Sequence, residues 1–108
     1  MRIIIAGIER GWNPERTPGY GDVVEDLRFD GYSVIDQRLT DKQNLWDDEG
    51  LISTAYRNHA IINDITYLGS CTSLALIEGW EAYPEAVAMY HAAIAMKKEI
   101  VMVTGATA

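Results

Sequence analysis

The sequence predicts a single α/β domain built on a parallel sheet of about four or five strands, with helices on both faces. Three features carry that expectation. Short apolar runs alternate with longer stretches whose apolar residues recur at helical spacing, the pattern of strands joined by crossover helices. Gly or Pro marks most of the changes from one kind of segment to the other. At 108 residues the chain has room for one hydrophobic core, because two halves would each bury too little surface.

Arg2 to Ala6 is a β-branched run that ends at Gly7, which reads as a buried strand followed by a tight turn. Gly7 to Gly19 contains Gly11, Pro14 and Pro18 as well. It is expected to be a long loop at the strand's carboxyl end, and loops of about 12 residues in compact domains are usually functional. Tyr20 to Asp30 sets Tyr20, Val23, Val24 and Leu27 on one helical stripe, and Gly31 supplies a stop. Tyr32 to Asp36 follows as the second strand. Gln37 to Gly50, polar and acidic around Trp46, reads as a surface loop. From Leu51 the residues Ile52, Ala55, Tyr56, His59, Ile62 and Ile65 fall at helical spacing as far as Gly69. Thr72 to Ile77 is the third strand and Glu78 to Tyr83 a short loop. Pro84 then opens an Ala-rich helix, where its missing N–H is no loss, and the helix runs to about Met96. Glu99 to Val103 is the fourth strand, and Gly105 to Ala108 is a tail. Right-handed crossovers between these strands give a parallel sheet whose ligands bind beyond the carboxyl ends.

Composition narrows the partners. The chain is 48% hydrophobic and 23% charged, as in an ordinary globular protein. Its net charge of -7 would repel a phosphate backbone, so no nucleic acid is expected. No apolar stretch approaches the ~20 residues that span a bilayer, and the N-terminal run is too short for a signal-peptide core. Cys71 is the only cysteine, which excludes an intrachain disulfide and fits a reducing, cytoplasmic compartment.

Several residues could carry chemistry. Gly7-Ile8-Glu9-Arg10-Gly11 could wrap a phosphate or sugar with backbone N–H groups. The alternative is a turn whose glycines need positive φ, and spacing alone favours it. Glu78, Glu81 and Glu85 cluster around the start of the last helix, where Glu81 and Glu85 are within reach of one another. Neighbouring carboxylates can raise each other's pKa, as work on a glycosidic bond requires. Equally, acidic residues there complement the helix dipole without any catalytic role. Asp64 could orient a ribose hydroxyl or accept a proton, although such a residue is more often on a solvated helix face. Trp80 and Tyr83 could stack on a base or cap the core. His59 and His91, read as partly buried helical histidines, lack metal-ligand spacing, so no metal and no cofactor are expected. Neither is placed as a base for a nucleophile near Cys71.

Taken together, the segments resemble the nucleoside 2-deoxyribosyltransferase-like superfamily, in particular its short bacterial and phage members, over nearly the whole chain. The matching stretches are Ile3 to Gly11, Leu27-Arg28-Phe29-Asp30-Gly31-Tyr32-Ser33-Val34, Asp64-Ile65 with Cys71, and Leu74 to Glu81 with its Gly79-Trp80-Glu81 segment. The resemblance implies a flavodoxin/Rossmann-like sheet, homo-oligomers, and a pocket for a nucleoside or nucleoside monophosphate. In active relatives a Glu in the first turns of the last helix attacks the anomeric carbon and Asp residues assist the leaving base. Here that position is Met89, whose thioether cannot replace a carboxylate. The Asp expected after Cys71 is Thr72, and Tyr83 and Glu85 replace small residues.

The leading expectation is therefore a nucleoside- or nucleotide-binding protein that has lost the ancestral reaction, its ligand touching Gly7, Ile8, Glu9, Arg10, Gly11, Gly79, Trp80 and Met89. One rival is an active N-glycoside hydrolase or deoxyribosyltransferase that uses Glu85 or Glu81, with Asp64 assisting. The other is a structural or partner-binding protein whose pocket is filled.

Overall fold

Ile3, Ile4 and Ile5 are each fully buried. Consecutive residues of a strand point to opposite faces, so both faces of this one must be covered. A computed structural model describes residues 1–7, 19–40 and 54–104 and shows how. Strand β1 (Arg2–Ala6) is followed by helix α1 (Tyr20–Phe29), strand β2 (Ser33–Ile35) and a helical turn α2 (Gln37–Thr40). Helix α3 (Thr54–Gly69), strand β3 (Ser73–Ile77), a 3-10 turn at Trp80–Ala82, helix α4 (Pro84–Ala95) and strand β4 (Glu99–Val103) complete the order.

The strands form one parallel sheet in the order β2-β1-β3-β4. Ile3 and Ile5, with Ala75 and Ile77 of β3, pack under Tyr20, Val23, Val24 and Leu27 of α1. Ile4 and Ala6, with Leu74 and Leu76, pack on the other face against Leu68 of α3 and Ala86, Met89 and Ala93 of α4. The step from β1 to β2 runs one way across the sheet with its helix on one face. The steps to β3 and to β4 run the other way with their helices on the opposite face, so all crossovers share one hand.

Two helices end in the same hydrogen-bonding pattern. After α1, Tyr32 N–H donates to the Leu27 carbonyl (3.1 Å) and Gly31 N–H to that of Arg28 (3.0 Å), with Gly31 at φ 97°. After α4, Lys98 N–H donates to Ala93 (2.9 Å) and Lys97 N–H to Ile94 (3.1 Å). There a lysine holds the left-handed position, at φ 58°, which costs a side chain about 1–2 kcal/mol that glycine escapes.

The expected α/β class, the parallel sheet and the helices on both faces are all present. The first and fourth strands have the expected bounds. The second is shorter at both ends, because Tyr32 N–H closes α1 and Asp36 turns its carboxylate to Arg38. The surface loop expected from Gln37 is overturned at its start: residues 37–40 are helical and Gln37 is fully buried. The rest of that segment, with Trp46, lies outside the described residues, as do residues 8–18, 51–53 and the tail. Among the described residues no helix is long and apolar enough to cross a membrane.

Two substitutions test the backbone geometry. A Cβ at Gly7, whose φ is 111°, would lie 3.0 Å from Ile77 Cβ and 3.1 Å from Ile77 N and O. Gly7→Ala is expected to cost about 2–3 kcal/mol. Lys97→Gly relieves the left-handed strain but gives up a cation at a helix C-terminus, for a net gain of about 0.5–1 kcal/mol. Urea unfolding checks both signs.

Candidate functional site

β1 and β3 are adjacent and parallel, and the chain leaves them in opposite directions across the sheet, β1 towards β2 and β3 towards β4. That reversal is the switch point of the sheet, and ligands of open α/β sheets bind outside the carboxyl ends at such a point. Two left-handed glycines stand there, Gly7 at φ 111° after β1 and Gly79 at φ 91° after β3. Gly7 abuts Ile77, so the expected juxtaposition of the two strand ends is present. Ile8, Glu9, Arg10 and Gly11 fall outside the described residues.

Beyond Gly79 the chain makes its 3-10 turn, and Pro84 opens α4 from an extended Tyr83. Trp80 is half-buried, its ring 5.0 Å from that of Tyr90 and tilted by 32°. One face of the indole is thus backed by α4. Glu78 and Glu81 are exposed, while Glu85, in the first turn of α4, is 7% exposed. Glu81 and Glu85, the two carboxylates expected within reach of one another, therefore sit in different dielectric surroundings. Glu85 heads a buried stripe continued by Met89 and Ala93. Met89 is a core side chain, 2% exposed and packed with the sheet, so its expected ligand contact has no surface on which to occur.

Asp64 is 1% exposed, against the expectation of a solvated helix face. It lies between Ala60 and Leu68 on the buried stripe of α3. The C-terminal end of α3 leads within four residues into the start of β3, at the amino edge of the sheet, and Asp64 is about one and a half turns from that end. His91 is exposed and meets Tyr90 edge-on at 5.4 Å, which corrects the partly buried reading. The His59 side chain is outside the described set. Among the described residues no group of three or more His, Cys, Asp or Glu could hold a metal ion. Cys71 is buried, and burial pushes its thiol pKa up despite Arg2, Ser70 and Lys98 nearby, so it is a poor nucleophile.

Comparison of the chain with family models, with curated proteins and with solved structures finds no significant match.

A polar cluster at the end of β2 was not foreseen. Asp36, 6% exposed, receives the Arg38 guanidinium on both oxygens, Nε to Oδ1 at 3.0 Å and Nη2 to Oδ2 at 2.7 Å. Its Oδ1 also accepts the Arg38 backbone N–H at 3.0 Å. The guanidinium lies 5.6 Å from the centroid of the Tyr20 ring, and Arg28 stands 3.8 Å from Oδ2. Beside it, Gln37 N–H donates to Tyr20 Oη (2.8 Å), the Tyr20 hydroxyl donates to Gln37 Oε1, and Gln37 Nε2 donates to the Ile5 carbonyl (2.9 Å). The only sequence signal was an acid and a base two positions apart directly after a strand, which is common in loops.

Burial alone would raise the Asp36 carboxyl, but the hydrogen bonds and charge of Arg38, aided by Arg28, more than offset it and hold the pKa below its ordinary 3.8. A depressed folded-state pKa stabilises the fold above the unfolded value, and that contribution is lost as pH falls through the folded one. Asp36→Asn should cost about 1–3 kcal/mol at pH 7. In urea titrations the gap from wild type should close progressively as pH drops below 3.8.

Proposed function

We propose that the carboxyl edge of the sheet binds a nucleoside or nucleoside monophosphate across the β1–β3 crevice. The observation that carries this reading is the reversal of strand order between two adjacent strands that each end in a left-handed glycine. Such ends let backbone N–H groups approach a ligand with no Cβ in the way. Trp80, half-exposed and braced by Tyr90, offers a π-face for a base. The sequence resemblance to nucleoside 2-deoxyribosyltransferase-like proteins supports the same ligand class, and it also implies association of subunits.

A second reading, an N-glycoside hydrolase or deoxyribosyltransferase, is favoured by one observation. Although the resemblance puts the nucleophile position at Met89, which is sunk in the core, a carboxylate stands one turn nearer the start of α4 at Glu85. In that chemistry the Glu85 carboxylate attacks the anomeric carbon, the glycosidic bond breaks with its electron pair leaving on the base, and an acid protonates the base.

Calorimetric titration with deoxynucleosides and their 5'-monophosphates is expected to show one-to-one binding. Trp80→Ala should weaken it about tenfold, as loss of one base–aromatic stack does. Chromatography of the same mixtures is expected to show no free base. Base release that vanishes in Glu85→Gln would establish the second reading, and absence of heat with every compound would refute both.

A further inference from the structure

Three helices end at one edge of the sheet. Each stops four residues before a strand begins: α1 at Phe29 before Ser33, α3 at Gly69 before Ser73, and α4 at Ala95 before Glu99. This amino edge, where the parallel strands start, lies opposite their carboxyl ends. Among the described residues the large apolar side chains exposed at or beside it are Met1, Phe29, Tyr67, Ile94 and Met96, and only Ile62 and Met102 are exposed elsewhere. Phe29 is 92% exposed. A single exposed apolar residue is ordinary, whereas several gathered on one side of a molecule mark a contact surface.

The charges on this edge are separated by sign. In the strand order β2-β1-β3-β4 the turn after α1 lies at one end and the turn after α4 at the other. Because α1 and α4 cover opposite faces, the two turns stand at diagonal corners of the edge. The first corner holds Asp30, with Asp26 one turn back on the helix, and the second holds Lys97 and Lys98. Asp26 and Asp30 are exposed and have no ion pair among the described residues, since Arg28 beside them is drawn to Glu25 and Asp36. They sit at the negative end of the α1 dipole, where carboxylates are disfavoured, so they do not serve their own helix. Lys97 is exposed, and Lys98 reaches the Gly69 carbonyl at 3.2 Å. Glu99, the acid next to the lysines, is turned along the sheet to Tyr32 Oη (3.3 Å) and Ser73 Oγ (3.4 Å). Arg2 starts β1, between the two corners.

We infer that the amino edge is the contact surface of a two-fold dimer of this chain. A two-fold axis perpendicular both to the strands and to the diagonal sets two amino edges face to face and brings each copy's α1 turn onto the other's α4 turn. Asp26 and Asp30 then oppose Lys97 and Lys98 twice, and Phe29 of one copy stands against Ile94 and Met96 of the other. An axis along the diagonal would set like charges together, so the charges select between the two. The carboxyl edges face away from the partner, and the inference does not depend on what they bind.

Sedimentation velocity of the full chain at about 50 μM, above the micromolar upper limit for contacts of standard size, is expected to show a dimer. Phe29→Ser should weaken it about tenfold or more, as loss of a central aromatic anchor does. The double variants Asp26→Lys/Asp30→Lys and Lys97→Glu/Lys98→Glu should each give monomers with wild-type circular dichroism, because each reversal sets like charges on both sides of the contact. Mixing the two should restore a dimer holding one copy of each, since both corners are then complementary again. A monomeric wild type would leave this edge to some other partner and overturn the inference. A dimer that survives Phe29→Ser and both reversals would overturn it too, as would reversed chains that stay apart when mixed.

Discussion

The pairing of β1 with β3 is the constraint on which the rest of the molecule depends. Both strands are buried along almost their whole length, and neither could be so without helices on each side. The order of crossovers supplies those helices, one on the face of Ile3 and Ile5 and two on the face of Ile4 and Ala6. The same pairing brings Gly7 against Ile77 and places the reversal of strand order between these two strands. Core packing and site geometry are thus two results of one register.

At the other side of β1 the sheet solves a different problem. β2 is only three residues long, and a strand that ends early leaves its neighbour's polar backbone groups facing a buried space, where lost hydrogen bonds are expensive. Gln37 continues the ladder with a side chain, while Asp36 and Arg38 bring a compensated charge pair to the same corner. Gln37 is tied to the backbone at Ile5, and Asp36 to the Arg38 guanidinium and backbone N–H. That distinguishes this corner from the carboxylates of Glu78 and Glu81, which remain in water.

Legibility in the sequence followed the strength of periodic signals. Arg2–Ala6 and Glu99–Val103 were readable because β-branched runs are bounded by a glycine or by lysines. α1 was readable because Tyr20, Val23, Val24 and Leu27 keep a clean stripe up to Gly31. The end of α4 was only approximate, since Lys97 takes a conformation that sequence rules assign to glycine. Asp64 misled because the expected stripe through Ile62 and Ile65 is not the buried one, Ile62 being exposed while Ala60, Asp64 and Leu68 are buried, and because polarity implied exposure. Gln37 misled in the same way. For the site, Gly7, Gly79 and Trp80 could be placed at one edge from strand order alone. The cluster of Tyr20, Asp36, Gln37 and Arg38 could not, because it joins residues whose proximity is a product of tertiary folding.

The contact between Gly7 and Ile77 has an evolutionary consequence. Two of the three atoms that a side chain at position 7 would strike are the main-chain nitrogen and oxygen of residue 77, and the third is a β-carbon. Every amino acid carries the first two, and all but glycine carry the third. Trimming the isoleucine therefore relieves little, so compensatory change at the facing position has almost nothing to work with. Lineages that share this register should keep the glycine fixed while residue 77 drifts among apolar types, and a suppressor screen starting from Gly7→Ala should return revertants or distant, globally stabilising changes in place of partners at 77.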